Sequence, residues 1–176
     1  MAYTLQQLSD MEEIKVVKHR YFRGIDTADM ALLDGLFTDD ITVIFRGGGY
    51  RVELAGHADM MLFLANSFNS DALGMHHGHM PEITLTGEDE AEGIWYLEDI
   101  FINLERQDHT YGTAIYRDRY RREQGVWKIA HTEYDRIMEV VQPFDANAQI
   151  TVHHLAKVGL KPEQRSDISH MIKWDD

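Results

Sequence analysis

A chain of 176 residues is long enough to bury one substantial core. Its net charge of −13 at pH 7 argues against nucleic acid or an anionic membrane surface as a partner, because both need a basic protein face. The absence of cysteine excludes thiol nucleophiles, disulfides and thiolate metal sites, and it fits a reducing compartment. Residues 1–7 show no secretory signal, and no apolar run reaches the ~20 residues of a membrane-spanning helix. We therefore expect a soluble cytoplasmic protein.

Residues 4–25 are predicted to form one amphipathic helix. Thr4 and Gln7 have the spacing of a capping box, and apolar residues follow at intervals of three or four. These are Leu5, Leu8, Met11, Ile14, Val17, Tyr21 and Ile25. The predicted outer face carries three basic residues, Lys15, Lys18 and Arg20.

A turn at residues 26–29 separates this helix from a short second one, predicted over Met30–Phe37. Tyr21 and Asp26 then lie at the end of the first helix, where their side chains can point into a cleft.

The next segments are a turn at Thr38–Asp40, a β-branched strand at Ile41–Phe45 and a helix at His57–Phe68. Between them, Arg46–Tyr50 is rich in glycine but lacks the sequence context of a dinucleotide site or a P-loop. We interpret it as a hairpin or bulge, with phosphate binding as a minor alternative.

Three histidines, His76, His77 and His79, occupy four consecutive positions after a predicted loop at residues 69–74. Histidine exchanges protons near neutral pH, since its unperturbed pKa is about 6.5. The cluster indicates acid–base chemistry, metal binding or a polar strand entrance. From Met80 onward we predict a strand that ends at the turn Gly87–Asp89.

Three long segments follow, and their intervening turn residues favour antiparallel pairing. They are Ala91–Glu105, Tyr111–Arg122 and Val126–Val141. Alternation places Tyr116 and Asp118 on an inner face and Arg117 on an exposed one. The same alternation places Asp99 on an otherwise apolar face of the first segment. In the third segment it places Arg136 on the same face as Thr132 and Tyr134. A curved sheet with helices on its concave side would enclose such a face in a pocket.

The tail gives mixed signals. Residues 150–155 fit a short strand or a helix, and residues 166–176 are expected to be solvated, with Trp174 as a possible anchor. We divide the chain into a domain at 1–142 and a tail at 143–176, which covers either the pocket or a neighbouring subunit.

A histidine becomes an effective general base when a carboxylate orients it, and Asp26 and Asp99 are the candidates. The alternatives are that Asp26 caps a turn and that Asp99 pairs with an arginine. Tyr21 is either a core residue or a hydrogen-bond donor to a developing oxyanion. Arg136 is either a counter-ion for one of the aspartates or a group that positions substrate.

A catalytic metal is not expected. On a strand, His77 and His79 can share a face while His76 points the other way, and no nearby acidic residue completes a recognisable ligand spacing. We expect neither a metal nor a cofactor.

Several motifs in combination resemble the SnoaL-like branch of the nuclear transport factor 2-like superfamily. They are Tyr21-Phe22 with Asp26 and Asp29, Leu36–Asp40, Met75–Ile83, Trp95–Asp99, and Trp127–Ile129 with Arg136. Within this branch the sequence looks closest to the bile-acid 7α-dehydratase group, with scytalone dehydratase and a lindane dehydrochlorinase as more distant relatives.

The resemblance implies an α+β fold, a cone-shaped barrel in which a curved mixed or antiparallel sheet wraps around N-terminal helices and a deep apolar pocket. It also implies a homo-oligomer, with a trimer favoured and a dimer possible. Motif matching places the catalytic residues of the dehydratases at Tyr21, Asp26, His76, Asp99 and Arg136.

These observations together predict a cofactor-independent lyase that dehydrates a hydroxylated cyclic ketone, steroid-like or CoA-linked substrate. His76 would be the base, with Asp26 orienting it. An isomerase or polyketide cyclase with the same base is the first alternative, and a non-catalytic small-ligand-binding protein is the second.

Overall fold

The computed structural model describes residues 2–175, which form four α-helices and one seven-stranded sheet. The helices are α1 (Leu5–Asp26), α2 (Met30–Asp34), α3 (His57–Ser67) and α4 (Leu155–Val158). The strands are β1 (Phe37–Arg46), β2 (Tyr50–Ala55), β3 (Ala72–Leu85), β4 (Glu90–Asn103), β5 (Asp108–Glu123), β6 (Val126–Pro143) and β7 (Ile172–Trp174). The predicted domain at 1–142 begins with Met1 and the predicted tail at 143–176 ends with Asp176; these two residues lie outside the described part of the chain.

The sheet has the order β3-β4-β5-β6-β1-β2-β7. All neighbouring strands are antiparallel except β1 and β6, which are parallel. The sheet is curled, with the N-terminal helices packed against it, so the predicted α+β cone is confirmed. Among the described residues, no helix has both the length and the apolarity needed to cross a membrane.

Helix α1 begins and ends as its sequence predicts. The Thr4 hydroxyl accepts a hydrogen bond from the backbone N–H of Gln7, whose side chain accepts one from the backbone of Thr4. Asp29 is the N-cap of α2, and its carboxylate accepts a hydrogen bond from the backbone N–H of Leu32 at 3.0 Å. Asp26 is the last residue of α1, so the rigid helix fixes its position.

The predicted outer position of Lys18 is wrong. Its side chain is fully buried, and Nζ lies 2.8 Å from Oδ2 of Asp118, which is also fully buried. The ammonium group also lies 3.6 Å from the centre of the Tyr116 ring, so it makes a cation–π contact. Amphipathic spacing missed this residue because the inner side of α1 faces a polar position of β5.

The second helix is shorter than predicted, and the predicted turn at Thr38–Asp40 belongs to β1. Phe37 is a buried core residue that pairs with Ile129 of β6, and this parallel pairing extends β1 toward α2. At the other end, Gly47–Gly49 form the connection to β2, so the hairpin interpretation of this segment is confirmed.

Strand β3 begins at Ala72, so the predicted loop at 69–74 is partly wrong and the histidines lie inside the strand. The strand pairs with β4 along most of its length. Gly74 and Gly78 break the apolar pattern expected of a strand, but their lack of a side chain makes room for aromatic rings. A Cβ at Gly78 would lie 2.3 Å from Phe22 Cε2, and a Cβ at Gly74 would lie 3.0 Å from Phe68 Cε1.

The tail returns to the domain, although most of residues 166–175 are exposed, as expected. Ile168, Met171 and Ile172 pack against the core, and β7 pairs with β2. Residues 150–153 are irregular, and the short helix α4 begins only at Leu155.

Candidate active site

A cavity of about 530 Å³ lies among α1, α3, the inner face of the sheet and the tail. Its walls are mainly apolar, with contributions from Phe45, Val52, Phe63, Leu97, Phe101 and Ile172. A cavity of this size, with few convergent polar groups, suits a mostly apolar small molecule. Four of the five predicted site residues line it, namely Tyr21, His76, Asp99 and Arg136.

The fifth predicted residue, Asp26, reaches the cavity through His76. Its Oδ1 lies 2.6 Å from His76 Nδ1, and its Oδ2 accepts the backbone N–H of His76 at 3.0 Å. A carboxylate accepts hydrogen bonds, so this contact places the imidazole hydrogen on Nδ1 and leaves Nε2 with a free lone pair. The pair thus has the arrangement of a general base and the group that orients it.

Aromatic residues fix the plane of the His76 ring. Phe22 stacks on it with centroids 5.9 Å apart and planes 6° from parallel, and Phe68 contacts it edge-on at 5.5 Å. The His76 side chain is only 8% exposed. The ring is therefore held in one orientation before any ligand enters.

The second charged pair lies across the cavity wall. Arg136 donates from Nη1 and Nη2 to the two carboxylate oxygens of Asp99, the second contact measuring 2.9 Å. The Asp99 side chain is 3% exposed and that of Arg136 10%. Burial acts to lower the pKa of Arg136, but the Asp99 carboxylate raises it overall, so the guanidinium stays charged. Glu139 lies 3.2 Å from Arg136 Nε.

Tyr21 is buried in α1 and shares a hydrogen bond with Tyr116. Burial raises its pKa, although the hydrogen bond with Tyr116 acts in the opposite direction, and the negative charges of Asp118 and Asp26 raise it further. The phenol therefore remains protonated at neutral pH, which is the form that can donate a hydrogen bond.

Three cavity tyrosines, Tyr50, Tyr116 and Tyr134, were not among the predicted site residues. Tyr50 and Tyr134 face each other with their hydroxyl oxygens 2.5 Å apart, and burial raises the pKa of both. The alternation of side chains along β6 places Tyr134 on the same face as Arg136, so the sequence could have predicted that Tyr134 faces the cavity. Tyr50 follows the glycine-rich turn, and only the β1–β2 register brings it to Tyr134.

His77 and His79, the other two histidines of the cluster on β3, do not line the cavity. His77 is exposed and belongs to the opposite face of β3 from His76, as the alternation predicts, and His79 shares that outer face.

The model of the SnoaL-like domain matches residues 6–133, which is well over half of the chain. The chain belongs to the SnoaL-like family. The resemblance drawn from the sequence motifs is thereby confirmed at the family level, and the closeness to the bile-acid 7α-dehydratase group stays a prediction.

Solved structures of other proteins share the fold of this SnoaL-like chain. A hexachlorocyclohexane dehydrochlorinase, LinA type 2, is 18% identical with a TM-score of 0.73, and the match covers 84% of this chain and 99% of that one. LinA type 3 from Novosphingobium barchaimii LL02 is 18% identical with a TM-score of 0.70, over 85% and 99% of the two chains. A scytalone dehydratase-like protein from Novosphingobium aromaticivorans DSM 12444 is 19% identical with a TM-score of 0.68, over 80% and 91%.

Proposed function

We propose that this SnoaL-like protein is a cofactor-independent hydro-lyase, which removes water from a hydroxylated cyclic ketone or CoA-linked substrate of steroid-like size. The observation that carries the proposal is the His76–Asp26 pair, whose free imidazole nitrogen belongs to a ring that lines an apolar cavity. The similar folds include enzymes named for the loss of hydrogen chloride and of water, which makes elimination the natural reaction class.

The reaction needs a carbon–hydrogen bond made acidic by a neighbouring carbonyl or enone. His76 Nε2 takes that proton, the electrons of the C–H bond form the new carbon–carbon double bond, and the C–O bond breaks. The departing hydroxyl takes this proton from the His76 imidazolium and leaves as water, which returns His76 to the neutral imidazole. Asp26 stabilises the imidazolium that forms, since it already accepts the Nδ1 hydrogen.

Tyr21 and the Asp99–Arg136 pair stabilise the charge that moves to oxygen. The Tyr21 hydroxyl donates to the substrate carbonyl or to the leaving oxygen, and Arg136 holds the substrate oxygens near it. Acid–base help contributes about 10²–10⁴-fold and one oxyanion donor about 10²–10³-fold. These contributions suffice for an activated proton without a metal.

Product analysis tests the proposal. We would incubate the purified protein with a panel of hydroxylated steroid ketones and their CoA thioesters, and measure the mass of every product. Loss of one water from a panel member supports the hydro-lyase. A product of unchanged mass supports an isomerase or cyclase, and tight binding without turnover supports a ligand-binding protein; either result contradicts the proposal.

Tyr21→Phe is predicted to keep the fold and to lower the rate of dehydration by at least ~10²-fold, because it removes one hydrogen-bond donor at the cavity. Steady-state kinetics on a substrate from the panel, with circular dichroism to check folding, measure this loss. Tyr3→Phe is the matched control, since Tyr3 is 59% exposed at the N-terminus. Full activity in Tyr21→Phe would remove Tyr21 from the mechanism.

A further inference from the structure

The outer face of β3 and β4 carries a second cluster of potential ligands that the cavity does not use. His77 and His79 lie two residues apart on β3, and Glu98 of β4 pairs in register with His77. One ligand atom from each of these three residues lies within 4.8 Å of the others. His79 Nε2 and Glu98 Oε2 lie 3.6 Å apart.

We propose that His77, His79 and Glu98 bind a divalent transition-metal ion, of which zinc suits two imidazoles and one carboxylate best. Such a site needs Zn–N and Zn–O distances of about 2.0–2.2 Å. The three side chains are exposed or half-buried, so small rotations bring their ligand atoms around one ion. Three protein ligands leave the fourth tetrahedral position to water.

A fourth residue already orients the carboxylate. The Tyr111 hydroxyl donates to Glu98 Oε1 at 2.8 Å, which leaves Oε2 directed toward His79. Hydrogen bonds of this kind fix ligand orientation in metal sites, and their loss typically weakens metal binding by about 10–100-fold. The protein's net charge of −13 adds a general attraction for cations.

The position of the site gives it a structural role. The ion would join β3 to β4 beside the cross-strand pair of His76 and Asp99, on the opposite face of the sheet from the cavity. Metal binding by the histidines was one alternative from the sequence, but residue spacing along the chain does not include Glu98 as a ligand. Only the pairing of the two strands brings the carboxylate to the histidines.

Zinc titration of the metal-free full-length protein, followed by calorimetry, tests the site. We expect one zinc ion per chain, at least ~10-fold weaker binding in His77→Ala, His79→Ala and Glu98→Gln, and about 10–100-fold weaker binding in Tyr111→Phe. Zinc should also raise the unfolding temperature of the wild type, because an ion that binds the folded state stabilises it. The variants should show a smaller rise.

The control is a double substitution, His153→Ala with His154→Ala, at an exposed histidine pair in the tail. It should leave the zinc affinity unchanged. Absence of saturable zinc binding, equal affinity in wild type and Glu98→Gln, or loss of binding in the tail control would each overturn the proposal.

Discussion

Gly112 of β5 lies directly beneath the Asp99–Arg136 pair. A Cβ at this position would lie 2.5 Å from Arg136 Nη1 and 3.1 Å from Asp99 Oδ1. At these distances the Arg136 and Asp99 side chains would have to move, which would disturb the hydrogen bonds between them. The absence of a side chain here therefore gives the two charged groups their bidentate geometry.

Gly112→Ala is predicted to separate Asp99 from Arg136 and to lower the rate of the proposed dehydration by at least ~10-fold, because small misplacements of positioning groups are costly. The fold should persist, since the displaced atoms belong to side chains. Enzyme kinetics and circular dichroism check both expectations. Gly49→Ala is the control, because a Cβ there would meet no atom within 4 Å. Equal losses in both variants would contradict the account.

Among the elements, the tail contributes part of the cavity wall. Ile168, Ile172 and Trp174 line the cavity, and Arg165 attaches the tail to Asp71 and Ser70, which immediately precede β3. Two backbone groups reinforce the attachment, because the N–H of Ser166 donates to the Asn66 side chain at 2.7 Å and that of Ser70 to the Leu160 carbonyl at 3.1 Å.

Arg165→Ala is predicted to loosen the tail, because hydrogen bonds to charged groups contribute about 1.5–3 kcal/mol. We expect faster proteolysis of the tail and a several-fold rise in KM, with a smaller change in kcat, since Arg165 is not among the residues that line the cavity. Limited proteolysis and steady-state kinetics measure these effects. Lys157→Ala, an exposed substitution in the same tail, should change neither. An intact tail and an unchanged KM in Arg165→Ala would show that the tail does not control access.

Local sequence signals predicted the helices and the long antiparallel strands, because capping residues and strand alternation report directly on local structure. The alternation also predicted that His76 and His77 face opposite ways. The early start of β3 was not predicted, because glycines such as Gly74 and Gly78 are typical of loops. In the structure they lie within the strand, where Phe68 and Phe22 pack against them.

Features that depend on long-range pairing were not predictable from the chain. The contact of Lys18 with Asp118, the approach of Glu98 to the histidines and the return of the tail all arise from strand register or helix docking. The sequence motifs did lead to Asp26 as the partner of His76, and the two residues are in contact in the structure. Whether Asp99 faces a histidine or an arginine was left open by the sequence, and in the structure it pairs with Arg136. The homo-oligomer stays a prediction.

For the molecule as a whole, the Lys18–Asp118 pair links α1 to the sheet inside the core. Asp118 also accepts hydrogen bonds from Thr132 and Tyr120, both at 2.7 Å. Burial lowers the pKa of Lys18, and the charge of Asp118 opposes this effect. An interior pair of this kind destabilises the fold strongly when one partner is removed, because the other charge is left buried and unpaired.

Lys18→Met is predicted to lower the free energy of unfolding by about 3–5 kcal/mol. Urea denaturation measures the change. Lys15→Met is the matched control on the same helix, since Lys15 forms a surface pair with Glu12 that should contribute less than about 1 kcal/mol. Similar small losses in both variants would mean that the buried pair adds no more than the surface pair does.

The most direct test of the proposed chemistry is the turnover of a panel substrate by His76→Ala beside His153→Ala, an exposed histidine control in the tail. The account predicts that His76→Ala folds, binds the substrate and loses at least ~10²-fold in kcat, while the control retains wild-type kcat. Wild-type kcat in a correctly folded His76→Ala protein would contradict the account.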